Sequence, residues 1–532
     1  MNKRDLPFFI LPLLWLVTSI MILWFPLGFS FKKPTAVLFM LFGLFTLFKP
    51  QPMLNLRDKL DSWPAKYWYW IVGIGSVLAF LLLTTLKFRM HYYFQTSADL
   101  ARLANVAWNT SQGYFLDSST DGHLSLLANH FKIILALFAP FLALWPDART
   151  LLTIESFGLA LAIAPIFLLV RKNSGSFALA AVIGLALILS PYMIRITRYD
   201  AHTMSLCVPI YLWALYFWET NRRSYFLYLM LSALTLKEES PVHLVAVGIY
   251  LLLRSKDNWK WALALACVGI ASFFGIAFLM AEVSGGNYWI TERYSSFGAG
   301  GGLSGILVEY LTKPHIFLLR FITPLQKAET IGKFFMFCGL VPIFSGVAVV
   351  PMLIALLPHW VSGYPPQYQL GWHYSAAPLA FAFYAVSVAI GKYPKFFKNP
   401  RVIACALILI GSGMVHMGRY YRIKPAQRQS AAYELFAMIP ADAKVQAPNH
   451  LMPHLACRRE IFQFPECRYT PDMLYLGYPK PDYVMFDFKG NLYPTGSLSA
   501  YEVLADAIRK NPEYELLISK QGFELWKRRG QS

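Results

Sequence analysis

The stretch that decides the fold is a hydrophobic segment followed by a polar one: residues 67–87 read YWYWIVGIGSVLAFLLLTTLK, and residues 88–132 read FRMHYYFQTSADLARLANVAWNTSQGYFLDSSTDGHLSLLANHFK. The first segment is long enough to cross a bilayer, because a spanning helix needs about 20 apolar residues. The second segment places an isolated carboxylate, Asp99, between hydrophobic stretches. Residues that take part in a reaction are therefore expected in this polar segment before any other.

The composition of the whole chain indicates a polytopic membrane protein. Of its 532 residues, 56% are hydrophobic, 16% are aromatic and only 14% are charged, whereas about 25% of the residues in a soluble domain are charged. The net charge of +19 would suggest nucleic-acid binding in a soluble protein. Here many Lys and Arg residues form short clusters between apolar runs, which is typical of cytoplasmic loops. Nucleic acid is therefore not an expected partner.

The apolar runs predict about thirteen membrane spans. The apolar segment 131–145 is left out of this count as an interfacial or re-entrant helix, because counting it would place the later positive clusters outside the cytoplasm. The N-terminus is expected in the cytoplasm, without a cleavable signal peptide. The expected spans lie near residues 8–29, 34–48, 67–87, 149–170, 176–194, 203–219, 223–236, 241–254, 258–282, 330–345, 346–358, 375–391 and 401–418.

Polar residues that the topology does not require gather on the extracytoplasmic side. Ionisable residues at the ends of spans cost free energy, so their presence there suggests a functional role. The alternative is that each of them simply sits in water at the membrane interface. These residues are, loop by loop, Asp99, Arg102, Asn105, Asp121, His123 and His130; Arg195, Arg198, Asp200 and His202; Lys237, Glu238, Glu239 and His243; and Glu292, Arg293, His373 and Tyr374.

The last part of the chain has the pattern of a small soluble α/β domain. Helices are expected at 427–438 and 499–510, strands at 443–447 and 482–488, and a hairpin of 514–519 with 522–527. The predicted fold is mainly α: a transmembrane domain over residues 1–423, with a first extracytoplasmic loop at 88–148, followed by an extracytoplasmic α/β domain over residues 424–532. A disulfide between Cys457 and Cys467 is plausible there.

Several motifs, in a fixed order, resemble a known family. The family comprises uncharacterised, predicted polytopic membrane proteins of bacteria in the GT-C glycosyltransferase clan, and the resemblance covers about residues 88 to 490. In the first motif the family has Asp-Leu-Gly with a second acid nearby, whereas Ala101 follows here and Asn105 stands near the second acid's place. The motifs are Tyr93–Leu100, Ala107–Asn109, His130 with Phe131, Tyr199–His202, Leu236–Glu239, Asn449–Leu455, Arg458–Phe462 and Phe464 with Pro465.

The resemblance implies a membrane glycosyltransferase of GT-C type. Its fold would have interfacial helices and a catalytic acid in the first extracytoplasmic loop. Its donor would be a sugar linked to a polyprenyl phosphate, with membrane lipids as its other partners. Its location would be the bacterial inner membrane, with the chemistry directed toward the cell envelope.

The residue types suit this chemistry on general grounds. Sugar transfer from a lipid phosphate to a hydroxyl needs a base for the acceptor proton and cations for the leaving phosphate. No cofactor is expected with certainty, and a divalent metal ion is possible, although no spacing forms a metal signature. The candidate catalytic residues are Asp99, Asp200 and Glu238, and the candidate substrate-binding residues are Arg195, Arg198, Lys237, His130, His202, His373 and Tyr374.

Each candidate also has a purely structural interpretation. Asp99 is a favoured residue type for capping a helix that continues through Leu100. Lys237 and Glu238 can form a local ion pair, and His130 can be a packed, hydrogen-bonded histidine. His373 with Tyr374 can anchor the chain at the interface.

Two other functions compete with glycosyl transfer. A lipid or solute transporter or flippase would be expected to have charges near the middle of its spans and an internal repeat, and neither is evident. A membrane scaffold that binds envelope partners would leave the converging acids unexplained. The position of the charges at span ends on one face favours chemistry at the membrane surface.

Overall fold

The fold is given by a computed structural model. It describes residues 41, 44–46, 48–188, 190–286, 308, 311–320, 322–338, 340–397, 399, 428–465 and 480–530. The described α-helices are α1 Gln51–Asp61, α2 Ala65–Tyr92, α3 Ala98–Ser111, α4 Leu135–Leu144, α5 Arg149–Ala160, α6 Ile163–Ser174, α7 Phe177–Ile188, α8 Pro191–Arg198, α9 Cys207–Glu219, α10 Arg223–Ala233, α11 Ser240–Arg254, α12 Trp259–Val283, α13 Pro314–Arg320, α14 Gln326–Phe337, α15 Val350–Val361, α16 Pro365–Tyr368, α17 Ala376–Lys392, α18 Pro394–Phe397, α19 Gln429–Ala437 and α20 Leu498–Arg509. The strands are β1 Asp117–Ser118, β2 Leu124–Ser125, β3 Val445–Pro448, β4 Ile461–Phe464, β5 Tyr483–Asp487, β6 Tyr514–Lys520 and β7 Phe523–Arg528.

Among the described residues, four helical segments are long and apolar enough to cross a membrane. The number of such segments is five if the bent pair of helices α7 and α8 forms a single span. The structure thus has a mainly helical membrane part, and the expected count of about thirteen spans is not confirmed. The four segments are Ala65–Tyr92, Arg149–Ser174, Lys256–Val283 and Val341–Val361.

The individual span predictions differ in outcome. Spans expected at 67–87, 149–170 and 258–282 correspond to span-length helices. The break expected between 345 and 346 coincides with a kink at Gly346, whose backbone angles are not helical (φ 68°, ψ −132°). The span-length segment Val341–Val361 runs across this kink, and α14 ends before it, at Phe337. Spans expected at 203–219, 223–236, 241–254 and 375–391 correspond to shorter helices. The runs 8–29 and 401–418, and nearly all of 34–48, lie outside the described residues. The apolar segment 131–145 contains the ten-residue helix α4, which is too short to span.

The helix hairpin of α11 and α12 depends on glycine at its contact. A Cβ atom on Gly269 would lie 2.8 Å from the carbonyl oxygen of Pro241, and one on Gly248 would lie 2.9 Å from that of Ala262. Real Cβ atoms do not approach backbone this closely, so glycine lets the two helices pack together. This contact holds the start of α11, directly after residues 237–239.

Helix α3 begins the first polar loop and is capped by a serine. Ser97 has an extended backbone, and its hydroxyl accepts a hydrogen bond of 3.2 Å from the amide of Asp99, as an N-cap residue does. The structural interpretation of Asp99 as the N-cap is therefore wrong, because Ser97 is the N-cap and Asp99 is the second residue of the helix. The Asp99 side chain does not cap the helix and can form other contacts.

The C-terminal region, which we define as the described residues 428–465 and 480–530, forms one five-stranded sheet with two helices. The strand order is β4-β3-β5-β7-β6, with β3 parallel to β4 and β5, and β7 antiparallel to β5 and β6. The predicted helices, strands and hairpin occur here, whereas strand β4 was not predicted. Cys457 is unpaired among the described residues, and Cys467 lies outside them, so the disulfide stays a prediction.

The first polar loop and the C-terminal region share one hydrophobic core. Leu100, Leu103 and Val106 of α3 belong to the same buried cluster as Val445 and Leu525 of the sheet. The expected division at residue 424, and the position of the later part outside the cytoplasm, stay predictions. What the structure shows is that α3 shares a hydrophobic core with a sheet more than 300 residues further along the chain.

Candidate active site

A cavity of about 870 Å³ lies where the first polar loop, several helix ends and the C-terminal region meet. We call it the site cavity. Six of the ten predicted site residues line it: Asp99, His130, His202, Lys237, His373 and Tyr374. Its volume is within the range of about 300–1,000 Å³ that is usual for small-molecule sites.

Asp99 is the only acidic residue among the described residues that line the site cavity. Its side chain is 49% exposed, accepts a hydrogen bond from the hydroxyl of Tyr199, and lies 3.7 Å from the guanidinium of Arg102. Burial acts to raise the pKa of Asp99, but Arg102, the Tyr199 hydroxyl and Lys132 together lower it below its usual value. The carboxyl is therefore ionised at neutral pH and can accept a proton.

Among the described residues, three cationic side chains line the same cavity: Arg102, Lys132 and Lys237. Lys237 donates to Glu239 at 3.3 Å, and the Nε of Arg102 lies 3.1 Å from Asp121. Lys132 is only 4% exposed, and no described residue forms a hydrogen bond or ion pair with its ammonium. A charge that is largely removed from water without a direct partner is costly, and here it borders a cavity, which points to an anionic ligand.

The pKa of Lys132 reflects this environment. Burial lowers it, the positive charge of Lys237 lowers it further, and the result is about 7. Glu238 and Asp99 act in the opposite direction. An anion bound beside Lys132 would favour its charged form.

Asp200 lies behind Asp99 and holds the start of α3. Its carboxyl accepts hydrogen bonds from the amide of Ser97, at 3.0 and 3.1 Å, and from the Ser97 hydroxyl. Burial raises the pKa of Asp200 to about 7, against the effect of the Ser97 hydrogen bonds. Asp200 is 3% exposed and does not line the site cavity.

A buried ion pair between two spanning helices supports the Tyr199–His202 loop. Lys87 of α2 lies 2.6 Å from Glu155 of α5, and it donates to the carbonyl oxygen of Tyr199 at 2.9 Å. The amide of His202 donates to Glu155 at 3.4 Å. The pair thus connects the membrane helices to both ends of the loop that contacts Asp99.

Glu238 also lies behind the cavity wall, against His130. Its carboxylate accepts from His130 Nδ1 at 3.1 Å and from the amide of Phe131 at 3.2 Å. Burial lowers the pKa of His130 to about 4. The pKa of Glu238 is lowered despite its burial, mainly by His130 and Lys237. A neutral His130 therefore donates to an ionised Glu238, and the contact orients the segment that leads to Lys132.

Aromatic rings form another part of the wall. His202 and His373 stack with ring centroids 3.4 Å apart, and Tyr199 stacks on Trp372 at 5.1 Å. His373 Nε2 lies 3.3 Å from the ammonium of Lys237, which places an acceptor nitrogen beside a cation. Burial lowers the pKa of both histidines, so they are neutral.

Two predicted phosphate-binding residues lie elsewhere. Arg195 donates to the carbonyl oxygens of Gln369 and Leu370, at 2.9 and 3.1 Å, and neither Arg195 nor Arg198 lines the site cavity. Both lie on α8. Their role in binding stays a prediction, and the structure brings other cations to Asp99.

Sequence reasoning missed several lining residues. Lys132 stands just before an apolar helix, and this position was a signal for an interfacial cation. Asn449, Gln463, Asn491 and Tyr493 of the C-terminal region also line the cavity, and only the fold brings them there. Asn105, near the expected second acid, donates instead to the carbonyl oxygens of Ala456 and Arg458.

Metal ligands do not cluster in the described part of the chain. No group of three or more His, Cys, Asp or Glu side chains there is arranged to hold a metal ion. The possible divalent ion thus has no preformed protein site among these residues.

Comparison with known proteins gives limited structural matches and one clear family match. ArnT from Cupriavidus metallidurans bound to undecaprenyl phosphate has a TM-score of 0.49 at 12% identity, covering 85% of this chain and 97% of ArnT. The same protein in the apo state has a TM-score of 0.45 at 12% identity, covering 85% and 98%. No curated protein matches the chain. The family described as "Predicted membrane protein (DUF2079)" matches residues 89–523, which confirms the family resemblance, and the chain belongs to this family.

Proposed function

We propose that the protein is a membrane glycosyltransferase of GT-C type. It would move a sugar from a polyprenyl-phosphate-linked donor to an acceptor hydroxyl at the extracytoplasmic face of the bacterial inner membrane. One observation carries the proposal: an ionised carboxylate, Asp99, lines the same cavity as Arg102, Lys132 and Lys237. This is the combination that transfer from a lipid phosphate needs.

The cations bind the donor phosphate in this proposal. Arg102 offers a planar fork of donors, and Lys132 and Lys237 offer compact charges, all of which suit phosphate oxygens. Lys132 gains most from the ligand, because no described residue forms a hydrogen bond or ion pair with its ammonium. The phosphate is held beside Asp99 at the ends of apolar helices, where the lipid chain can remain in the membrane.

Asp99 acts as the general base. The acceptor oxygen attacks the anomeric carbon of the sugar, and its proton passes to Asp99. The bond between the anomeric carbon and the phosphate oxygen breaks, and the electron pair leaves with the phosphate, where the three cations stabilise it. The pKa of Asp99, lowered by Arg102, keeps the base ionised before the reaction.

Asp200 and Glu238 act as positioning residues in this proposal. Asp200 holds Ser97, which caps the helix that carries Asp99. Glu238 holds His130, two residues before Lys132. Neither carboxyl lines the site cavity, so each works through a neighbour.

The experiment is mass spectrometry of lipid-linked sugars and envelope glycans in bacterial strains that lack the protein. Each strain is complemented with wild type, with Asp99→Asn, or with Glu502→Gln as a control on the exposed side of α20. We expect a lipid-linked sugar to accumulate and one glycan modification to disappear in the deletion strain and in the Asp99→Asn strain. Glu502→Gln should restore both.

The competing transporter hypothesis gives a different result. A protein that only moves the lipid would not need Asp99 as a base, so Asp99→Asn would restore the glycan. Full restoration by this variant, at normal protein level, would therefore contradict the proposal.

A further inference from the structure

The charged residues that line the site cavity and the lining residues of the C-terminal region come from different parts of the chain. The charged lining residues, Asp99, Arg102, Lys132 and Lys237, all precede the C-terminal region. The described lining residues of the C-terminal region carry no charge: Asn449, Gln463, Asn491 and Tyr493. The cavity thus has a charged wall and a neutral polar wall.

The neutral wall is built by the sheet and its loops. Asn449 directly follows β3, Gln463 lies within β4, and Asn491 and Tyr493 lie in the connection between β5 and α20. The parallel pairing of β3 with β4 fixes Gln463 within its strand and Asn449 one residue beyond the end of β3. Their positions therefore depend on strand pairing, which is a rigid way to hold a binding surface.

Asn449 connects the two walls. Its side chain is 8% exposed, and its Oδ1 accepts a hydrogen bond from the amide of Ala98 at 3.4 Å. No described residue accepts a hydrogen bond from its Nδ2. Asn449 therefore lies next to the residue that precedes Asp99, so the neutral wall begins beside the proposed base.

The chemistry of this wall suits a neutral sugar ring. Amides and a phenol both donate and accept hydrogen bonds, as the hydroxyls of a sugar require. The aromatic rings of Tyr364, Trp372 and Tyr493 line the same cavity and offer apolar surface to the faces of the ring. A phosphate would instead be attracted to the cations of the other wall.

We propose that the neutral wall of the C-terminal region binds the sugar of the lipid-linked donor. This inference rests on the proposed function. In such a donor the sugar is bonded directly to the phosphate, so a phosphate on the charged wall places the sugar within one ring width of it. The neutral wall, which starts beside Asp99, is the surface that the sugar then meets. Gln463 and Asn491 are thus specificity-determining residues for an uncharged sugar.

The test compares binding of two lipids to purified full-length protein. One probe is undecaprenyl phosphate without sugar, and the other is the same lipid carrying one neutral hexose, tested as glucosyl, galactosyl and mannosyl forms. Gln463→Met keeps the size of the side chain and removes its hydrogen-bonding groups, including the Nε2 that donates to the carbonyl oxygen of Pro465 at 3.1 Å. The matched control is Gln112→Met, which makes the same change at an exposed residue that does not line the cavity.

We expect wild type to bind at least one hexosyl lipid more tightly than the bare lipid. Gln463→Met should reduce this preference by about 3- to 10-fold, as expected for the loss of one neutral hydrogen bond, and Gln463→Met with Asn491→Ala should reduce it further. Binding of the bare lipid should stay within about twofold of wild type in all variants. Gln112→Met should keep the full preference.

The outcomes separate this inference from the proposed function. Failure of wild type to bind the bare lipid would contradict the proposed function, and the inference with it. Tight binding of the bare lipid without any sugar preference would overturn the inference alone. The same is true if Gln463→Met weakens both lipids equally, or if it leaves the preference unchanged, as it would if this wall bound the acceptor.

Discussion

The replacement of Lys132 by methionine tests the proposed phosphate site most directly. Lys132 is buried, lines the site cavity and has no hydrogen-bond or ion-pair partner among the described residues. In the absence of ligand its charge therefore brings a desolvation cost that the carboxylates of Glu238 and Asp99 offset only in part. In the presence of a lipid phosphate, the same charge would form a charge-assisted hydrogen bond.

The expected magnitude follows from that bond. A hydrogen bond to a charged group contributes about 1.5–3 kcal/mol, which corresponds to a loss of about 10- to 150-fold in affinity for undecaprenyl phosphate. The free energy of unfolding of the ligand-free protein should not fall, because the folded state disfavours the charged form of Lys132, as its lowered pKa shows, and methionine keeps the length of the side chain. Lys132→Met should therefore lose ligand affinity without losing stability.

The assay is a titration of purified full-length protein with undecaprenyl phosphate, combined with thermal unfolding without ligand. Lys237→Met is the comparison variant, because Lys237 pairs with Glu239 at 3.3 Å. Its removal leaves a partly buried carboxylate without this partner, so stability should fall as well as affinity. Arg195→Met is the second comparison, because Arg195 lies outside the cavity and should leave affinity within about twofold.

The pH dependence gives an independent measurement on the same residue. Because the pKa of Lys132 is lowered to about 7, affinity for the lipid phosphate should fall as pH rises from 6 to 9 in wild type. Lys132→Met should lack this component. Between pH 7 and about 10.5 the unfolded chain holds a proton on Lys132 that the folded chain lacks. The Lys132 contribution to the free energy of unfolding should therefore rise with pH in this window.

An unchanged affinity in Lys132→Met would refute the reasoning. So would a large loss of stability, because it would mean that the ammonium has a partner in the folded protein.

Three further predictions concern the base, the buried ion pair and the topology. In Asp99→Asn the amide can still accept from Tyr199 but cannot take a proton, so the transfer rate should fall by at least about 10²-fold, and near-normal turnover of folded protein would contradict this. Lys87→Met alone should lower the free energy of unfolding by about 3–5 kcal/mol, whereas Lys87→Met with Glu155→Leu should lower it much less; equal losses in chemical unfolding would argue against a compensating pair. In a cysteine-free background, Lys510→Cys should react with a membrane-impermeant thiol reagent in intact cells and Arg222→Cys only after permeabilisation, and the reverse pattern would invert the topology.

The membrane class and many local elements could be predicted from the sequence. Long apolar runs specify spanning helices such as Ala65–Tyr92, because every backbone polar group must be satisfied within the segment. In the C-terminal region, alternation and turn residues specify strands and a hairpin over 514–528. These features depend on neighbours close in the chain, and they can therefore be read locally.

Several short helices could not be assigned from the sequence in the same way. Helices such as Arg223–Ala233 are apolar but only 11 residues long, and composition alone does not distinguish a short buried helix from a span. The cap of α3 was also ambiguous, since Ser97 and Asp99 are both favoured N-cap types. The extended backbone of Ser97 shows that Ser97, and not Asp99, is the N-cap.

The sequence by itself determined that Asp99 stands in a polar loop between membrane segments and that cations occupy neighbouring loops. The tertiary structure decided which cations share its cavity: Arg102 and Lys132 do, whereas Arg195 donates to backbone carbonyls instead. The reason is that a side chain's direction depends on the rotation and packing of its helix. Residue type does not specify that rotation. For the same reason, only long-range packing could bring the neutral wall around Asn449 to a carboxylate 350 residues earlier in the chain.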